Sequence, residues 1–134
     1  LPLQHTTLIE TGGMKGRREE LNREEVHHQL KKAFHCEQIA SEYGMTELFS
    51  QAYALRDGRF ACPPRMRILI RDLNDPLETF ETGRGAIQVI DLANLHTCSF
   101  LATEDTGTVY ADGGFEVIGR MDHSEMRGCS LMTL

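Results

Sequence analysis

Residues 37–50 read EQIASEYGMTELFS. The first half has Ile39 and Ala40 in sequence and runs to an aromatic, Tyr43, which predicts a strand. The second half breaks that strand at Gly44 and sets Thr46 beside Glu47. Two readings of YGMTE are open. It can be a polar turn at a strand end with a buried Tyr. It can also be a ligand loop. Tyr43 offers a flat ring to a base or an acyl group, and Gly44 lets a ligand approach the backbone. Thr46 offers a hydroxyl to a phosphate oxygen. Glu47 offers a carboxylate suited to Mg2+, which takes few protein oxygens and keeps water and substrate phosphates. Taken alone the turn is the simpler reading, because five-residue patterns recur by chance.

Working upstream, TTLIET (6–11) predicts a short strand that stops at Gly12-Gly13. Asn22 and Glu25 have the spacing of a capping box. Val26, Leu30 and Phe34 then recur four residues apart, which predicts a helix over Arg23–Phe34 with one apolar stripe. Strand, helix and strand in this order give an α/β unit with parallel strands. Downstream, MRILIRDL (66–73) and AIQVIDLA (86–93) read as strands joined by the turn-rich NDPLETFETGRG. TCSFLAT, GTVYA and FEVIGR follow, with Asp112-Gly113-Gly114 as a hairpin turn. The fold expected is thus α/β and then antiparallel β. The change falls near Cys62-Pro63-Pro64, dividing the chain into 1–62 and 63–134.

Composition bounds the function. The chain has 134 residues, 40% hydrophobic and 25% charged, with a net charge of −6. That length supports one core without staples. The acidic balance argues against nonspecific nucleic-acid binding, which needs a basic face. No apolar run approaches the length of a membrane span. Cys36, Cys62, Cys98 and Cys129 form no CxxC pair, so neither a zinc ribbon nor a disulfide framework is expected, and a cytoplasmic setting is. The start LPLQHTTLIET lacks the pattern of a signal peptide and an initiator Met, which suggests a piece of a longer chain.

Three further stretches carry possible chemistry. In LATEDTG (101–107), Asp105 can be a turn residue, or it can accept both hydroxyls of a ribose. In GRMDHSEMRGCSLM (119–132), Arg120 can pair with a phosphate. In the same stretch Cys129 is either a small buried hydrophobe or a thiolate favoured by the nearby Arg127. Gly12-Gly13 with Lys15, Arg17 and Arg18 suggests an anion loop without the Lys-Ser/Thr of a Walker A motif. His27 and His28 are expected on a helix surface. His35-Cys36 and His96-Cys98 would make a metal site only if the fold joined them.

The order of these motifs is more specific than any one of them. Tyr-Gly-Met-Thr-Glu (43–47), Thr-Glu-Asp-x-Gly (103–107), Asp-Gly (112–113) and Gly-Arg-x-Asp (119–122) together resemble the adenylate-forming enzymes. Glu104 stands where that superfamily usually has Gly. With ETGGMKGRREEL (10–21), PPRMRILIRDLNDP (63–76) and VIDLANL (89–95), the chain looks most like the C-terminal portion of acyl-protein synthetases. These are the LuxE family of long-chain-fatty-acid protein ligases.

The resemblance implies a partial adenylate-forming fold and the cofactors ATP and Mg2+. It implies that a fatty or other carboxylic acid is activated as acyl-AMP. A Cys then takes the acyl group and passes it to a reductase partner. By motif, Gly12, Gly13, Tyr43, Gly44, Met45, Thr46, Asp105 and Arg120 would bind nucleotide. Tyr43 would lie against adenine, Thr46 on the phosphate, and Asp105 on the ribose hydroxyls. Thr46, Glu47 and Cys129 would be catalytic, with Glu47 as the metal ligand. The family's phosphate loop and part of its acyl pocket lie upstream of these residues, so the fragment alone is expected to be inactive. The alternatives are an aryl- or acyl-CoA ligase resembling phenylacetate-CoA ligase, with CoA as acceptor, and a noncatalytic interaction module of the same fold.

Overall fold

A computed structural model describes Leu3, residues 6–12 and residues 23–121. The capping residue Asn22, Gly13 and the basic residues at 15, 17 and 18 lie outside the described residues, as does Cys129. The described chain builds two sheets on one core.

The first sheet has the order β1-β2-β3, from β1 (Leu8–Glu10), β2 (Ile39–Tyr43) and β3 (Ala52–Ala54). β1 and β2 are parallel, with Glu10 opposite Ser41, and β3 is antiparallel to β2. The expected helix, α1 (Arg23–Phe34), connects the two parallel strands. It ends at His35, whose φ of 49° turns the chain out of the helix. Val26 and Leu30 are half-buried and Phe34 is exposed. No residue of α1 is fully buried.

The second sheet runs β5-β4-β6-β7-β8 and is antiparallel throughout. Its strands are β4 (Met66–Arg71), β5 (Thr79–Phe80), β6 (Gly83–Asp91), β7 (Phe100–Val109) and β8 (Phe115–Arg120). β4 alternates because one of its faces meets the core: Met66, Ile68 and Ile70 are buried. A 3-10 turn, Leu92–Asn94, replaces the expected end of the 86–93 strand. The turn-rich connection contains β5 and the start of β6. The two strands expected around LATEDTG are one continuous strand, β7. The β7–β8 hairpin closes as expected at Gly113, where φ is 82°, with Tyr110 N and Gly114 O 2.8 Å apart.

Phe60 joins the sheets. Its N–H and carbonyl exchange hydrogen bonds with Phe115 of β8, at 2.7 and 3.1 Å, while Ala61 bridges to Tyr53 of β3. Tyr43, Leu48, Ala52, Ala54 and Phe60 therefore share one cluster with Ile68, Ile70, Ile87, Val89, Val109 and Phe115. Phe60 stacks on Phe115, and Tyr43 meets both rings edge-on. Gly107 sits at the closest approach within the second sheet: a Cβ there would lie 2.2 Å from the Glu116 carbonyl oxygen and 2.8 Å from Ile87 Cδ1.

Candidate functional site

The parallel pair sets the geometry. Glu10 and Ser41 are register partners, so Gly12 and Tyr43 leave the sheet at the same edge. In α/β sheets this edge, the carboxyl end of parallel strands, is where ligands bind. The Gly12 turn is tied down by Glu10. The Glu10 carboxylate accepts from Gly12 N at 2.7 Å and pairs with Arg23 at 3.4 Å. Burial opposes ionisation of Glu10, but hydrogen bonds from Ser41 and Gly12 and the charge on Arg23 outweigh it and hold its pKa below the usual range. His27 is not simply a surface residue. It turns inward, with Nε2 3.1 Å from Ser41 Oγ, while His28 stays exposed.

Tyr43 ends β2. Its ring is packed in the aromatic cluster, 8% exposed, and its hydroxyl donates to Asp105 Oδ2 at 2.9 Å. Arg120 of β8 lies opposite Asp105 in the register and its Nε donates to Oδ1 at 3.2 Å. Three motifs far apart in sequence thus meet at one carboxylate. An ionised carboxylate offers about four acceptor positions. Tyr43 and Arg120 take one on each oxygen, which leaves one on each.

Asp105 is not in a turn, one of the two readings of its stretch, but inside β7 at an irregularity. Ala86 pairs with Thr106 and Gln88 with Ala102, so Ile87 alone faces Thr103, Glu104 and Asp105. Such bulges re-aim side chains beside sites. Thr103 closes this one. Its buried hydroxyl donates to the Ile87 carbonyl at 2.8 Å and accepts from Asp105 N at 3.2 Å. Arg71 Nη2 donates to the Thr103 carbonyl at 3.2 Å.

Gly44, Thr46 and Glu47 are exposed and Met45 is half-buried against the core. The loop is fixed by residues not anticipated from sequence. Asp91, fully buried at the end of β6, accepts from Phe49 N, Ser50 N and Ser50 Oγ at 2.9, 2.8 and 2.7 Å, and from Ala93 N at 3.1 Å. Burial opposes its charge, but the Ser50 hydroxyl and these amides hold its pKa below the usual carboxylate range. Asn94 Nδ2 donates to the Glu47 carbonyl at 2.8 Å. One signal was available: a carboxylate ending an apolar run, as in VIDLA, is costly to bury unless several donors meet it.

Among the described residues no three His, Cys, Asp or Glu side chains converge on a metal position, so His35-Cys36 and His96-Cys98 do not make one. Cys36, Cys62 and Cys98 are free thiols. A cleft of about 420 Å³ opens beside the β7–β8 turn, lined in part by Cys62, Met66, Arg67, Tyr110 and Asp112. It includes neither Tyr43 nor Asp105. Burial pushes the Cys62 thiol up to about 11 against a hydrogen bond from the Ile68 backbone. No helix among the described residues is long and apolar enough to cross a membrane.

Among the described residues the structure is mostly antiparallel sheet with one α-helix, and it matches part of the adenylate-forming-enzyme fold. It is similar to the luciferase-like enzyme of the nonluminescent mealworm Zophobas morio. That match has a TM-score of 0.55 at 19% identity, over 86% of this chain and 32% of the other. It is also similar to coronafacic acid ligase of Pectobacterium brasiliense, with 0.58, 19%, 90% and 25% for the same quantities. For the N-terminal domain of FACL13 from Mycobacterium tuberculosis they are 0.52, 14%, 86% and 31%. The chain spans between a quarter and a third of these proteins. No protein-family model matches the sequence, and no curated protein matches it.

Proposed function

We propose that the chain is the C-terminal portion of an ATP-dependent ligase that activates a carboxylic acid as acyl-AMP. In this reading residues 1–62 end the nucleotide-binding α/β subdomain and 63–134 form a mainly antiparallel subdomain. The observation that carries it is the meeting of Tyr43 and Arg120 on Asp105. The two acceptor positions left on that carboxylate, one per oxygen, suit the vicinal hydroxyls of a ribose. Gly12, Gly44 and Met45 would line the nucleotide from the sheet edge, and the motif assigns Gly13, outside the described residues, to the same role. The Tyr43 ring, held edge-on among Phe60 and Phe115, would form the floor of the pocket through its hydroxyl end.

Thr46 would hydrogen-bond the α-phosphate. Glu47 is an exposed lone carboxylate beside it, a donor set that fits Mg2+ bound chiefly by water and phosphate and does not fit a closed protein cage. When bound, Mg2+ would offset the negative charge that builds on the phosphates. The substrate carboxylate attacks the α-phosphorus and pyrophosphate leaves. The Cys129 thiolate would then attack the acyl carbon, forming a thioester and releasing AMP. Hand-over to a reductase, as in the LuxE-like reading, would follow. The test is carboxylate-dependent exchange of labelled pyrophosphate into ATP by the intact protein. Exchange should be lost in Asp105→Ala and Glu47→Ala, and exchange that persists in both sinks the reading. Labelled acyl group retained on protein in Cys129→Ala would sink the acceptor assignment alone.

A further inference from the structure

Thr46 and Glu47 lie on a loop that has little to hold it from within. It has one backbone hydrogen bond of its own, Leu48 N to the Met45 carbonyl at 3.0 Å, and one buried side chain, Leu48. Its remaining grip comes from the other sheet. Asp91 takes the amides of Phe49 and Ser50 and the Ser50 hydroxyl, and Asn94 takes the Glu47 carbonyl. Both gripping side chains are themselves fixed. Asp91 is 0% exposed and also caps the 3-10 turn through Ala93 N, and Asn94 is 2% exposed, bonding the Cys98 carbonyl and receiving the Thr97 hydroxyl.

The chemistry of these contacts separates holding from ligand binding. Asp91 has about four acceptor positions and four donors fill them, so nothing remains for a metal or a phosphate-bound water. A carboxylate is required because every partner is a donor. An amide at the same place would turn an NH2 toward backbone N–H groups and strand them. Asn94 meets the opposite need, giving N–H to a carbonyl that the loop cannot satisfy itself.

We propose that Asp91 and Asn94 are positioning residues that set the Thr46-Glu47 loop against the phosphate end of the nucleotide. This rests on the reading of that loop given above. The ribose end of the site is held separately, by Asp105, Tyr43 and Arg120. Loosening the Asp91 grip therefore acts on the phosphate-side step and spares nucleoside binding.

The test uses the intact protein with ATP, MgCl2 and the acid substrate, and compares Asp91→Asn and Asn94→Ala with Glu47→Ala. The measurements are pyrophosphate-exchange kcat, the Mg2+ concentration for half-maximal exchange, and ATP affinity by calorimetry. Asp91→Asn is expected to lower kcat by about tenfold to a hundredfold, the loss of charge-assisted hydrogen bonds expressed as rate. It should also raise the Mg2+ requirement, while ATP affinity changes by less than about threefold. A merely structural role would lower the folded fraction without moving the Mg2+ requirement. Should Asp91→Asn fail to fold, Asn94→Ala decides, with a smaller fall in kcat and the same shift in Mg2+ requirement. Unchanged kcat and Mg2+ requirement in Asn94→Ala and in folded Asp91→Asn, with exchange lost in Glu47→Ala, overturns the inference and leaves the functional reading standing. Exchange unaffected by Glu47→Ala overturns the inference together with the reading of the Thr46-Glu47 loop, and Asp105→Ala then decides the rest of the functional reading.

Discussion

Tyr43→Phe removes one oxygen from the centre of the site and nothing else. The ring keeps its edge-on contacts with Phe60 and Phe115. The lost group is a hydroxyl donating at 2.9 Å to a carboxylate, and Asp105 keeps Arg120 as a partner. A hydrogen bond to a charged group contributes about 1.5–3 kcal/mol. For a chain of this size that is a fall in Tm of roughly 5–10 °C. The pH dependence is more specific. Burial first, then the charge on Asp105 and the bond to it, push the Tyr43 phenol well above its ordinary 10. The folded chain thus keeps this proton after the unfolded chain has lost its own. Its contribution to stability is whole below about pH 10. Above that it falls by about 1.4 kcal/mol per pH unit, as tyrosine in the unfolded chain ionises. Urea unfolding from pH 8 to 11.5 should show the native protein losing stability above pH 10 more steeply than Tyr43→Phe, so that the two curves converge. Parallel curves, or a Tm within 1 °C of native, would refute the Tyr43–Asp105 bond and with it the convergence of motifs.

Other perturbations test neighbouring links. Thr103→Val keeps the shape at the bulge but leaves the Ile87 carbonyl and Asp105 N without their hydroxyl partner. It should cost about 1–3 kcal/mol and weaken nucleotide binding, while Thr103→Ser restores both; equal affinity in Val and Ser variants would remove Thr103 from the site. Gly107→Ala forces a methyl onto the Glu116 carbonyl and Ile87, and a loss of at least about 2 kcal/mol is expected by denaturant melt. A neutral result there would mean that β7 and β8 pack further apart. Cys62, with its thiol pushed up to about 11, should alkylate far more slowly at pH 7 than the exposed Cys98, as mass spectrometry of a timed iodoacetamide reaction will show. Faster labelling of Cys62 would contradict its packing against the core.

Local pattern was enough to read the helix, because Val26, Leu30 and Phe34 impose one period, and the hairpin turn, because Asp112-Gly113-Gly114 suits a positive φ. It was also enough to expect strands in EQIASEY (37–43) and MRILIRDL (66–73), which form as Ile39–Tyr43 and Met66–Arg71, since apolar residues there gather or alternate. The fold class followed from the order of these elements. Local pattern left Asp105 open between a turn and a ligand, because a bulge inside a strand carries the same polar residues as a strand end. It took His27 as a surface residue, because the helix period does not record that Ser41 lies beneath it.

The sequence by itself determined which residue types the proposed site has to work with and in what order they come. Tertiary structure alone decided that Tyr43 and Arg120 share the Asp105 carboxylate, and that a buried Asp91 grips the YGMTELFS loop from the second sheet. The physical reason is range. Helix period, turn preference and strand alternation act over a few residues, whereas these bonds join groups 15 to 62 residues apart. They form only when burial of the Phe60–Phe115 core brings the two sheets together and leaves each buried polar group to find its partner there.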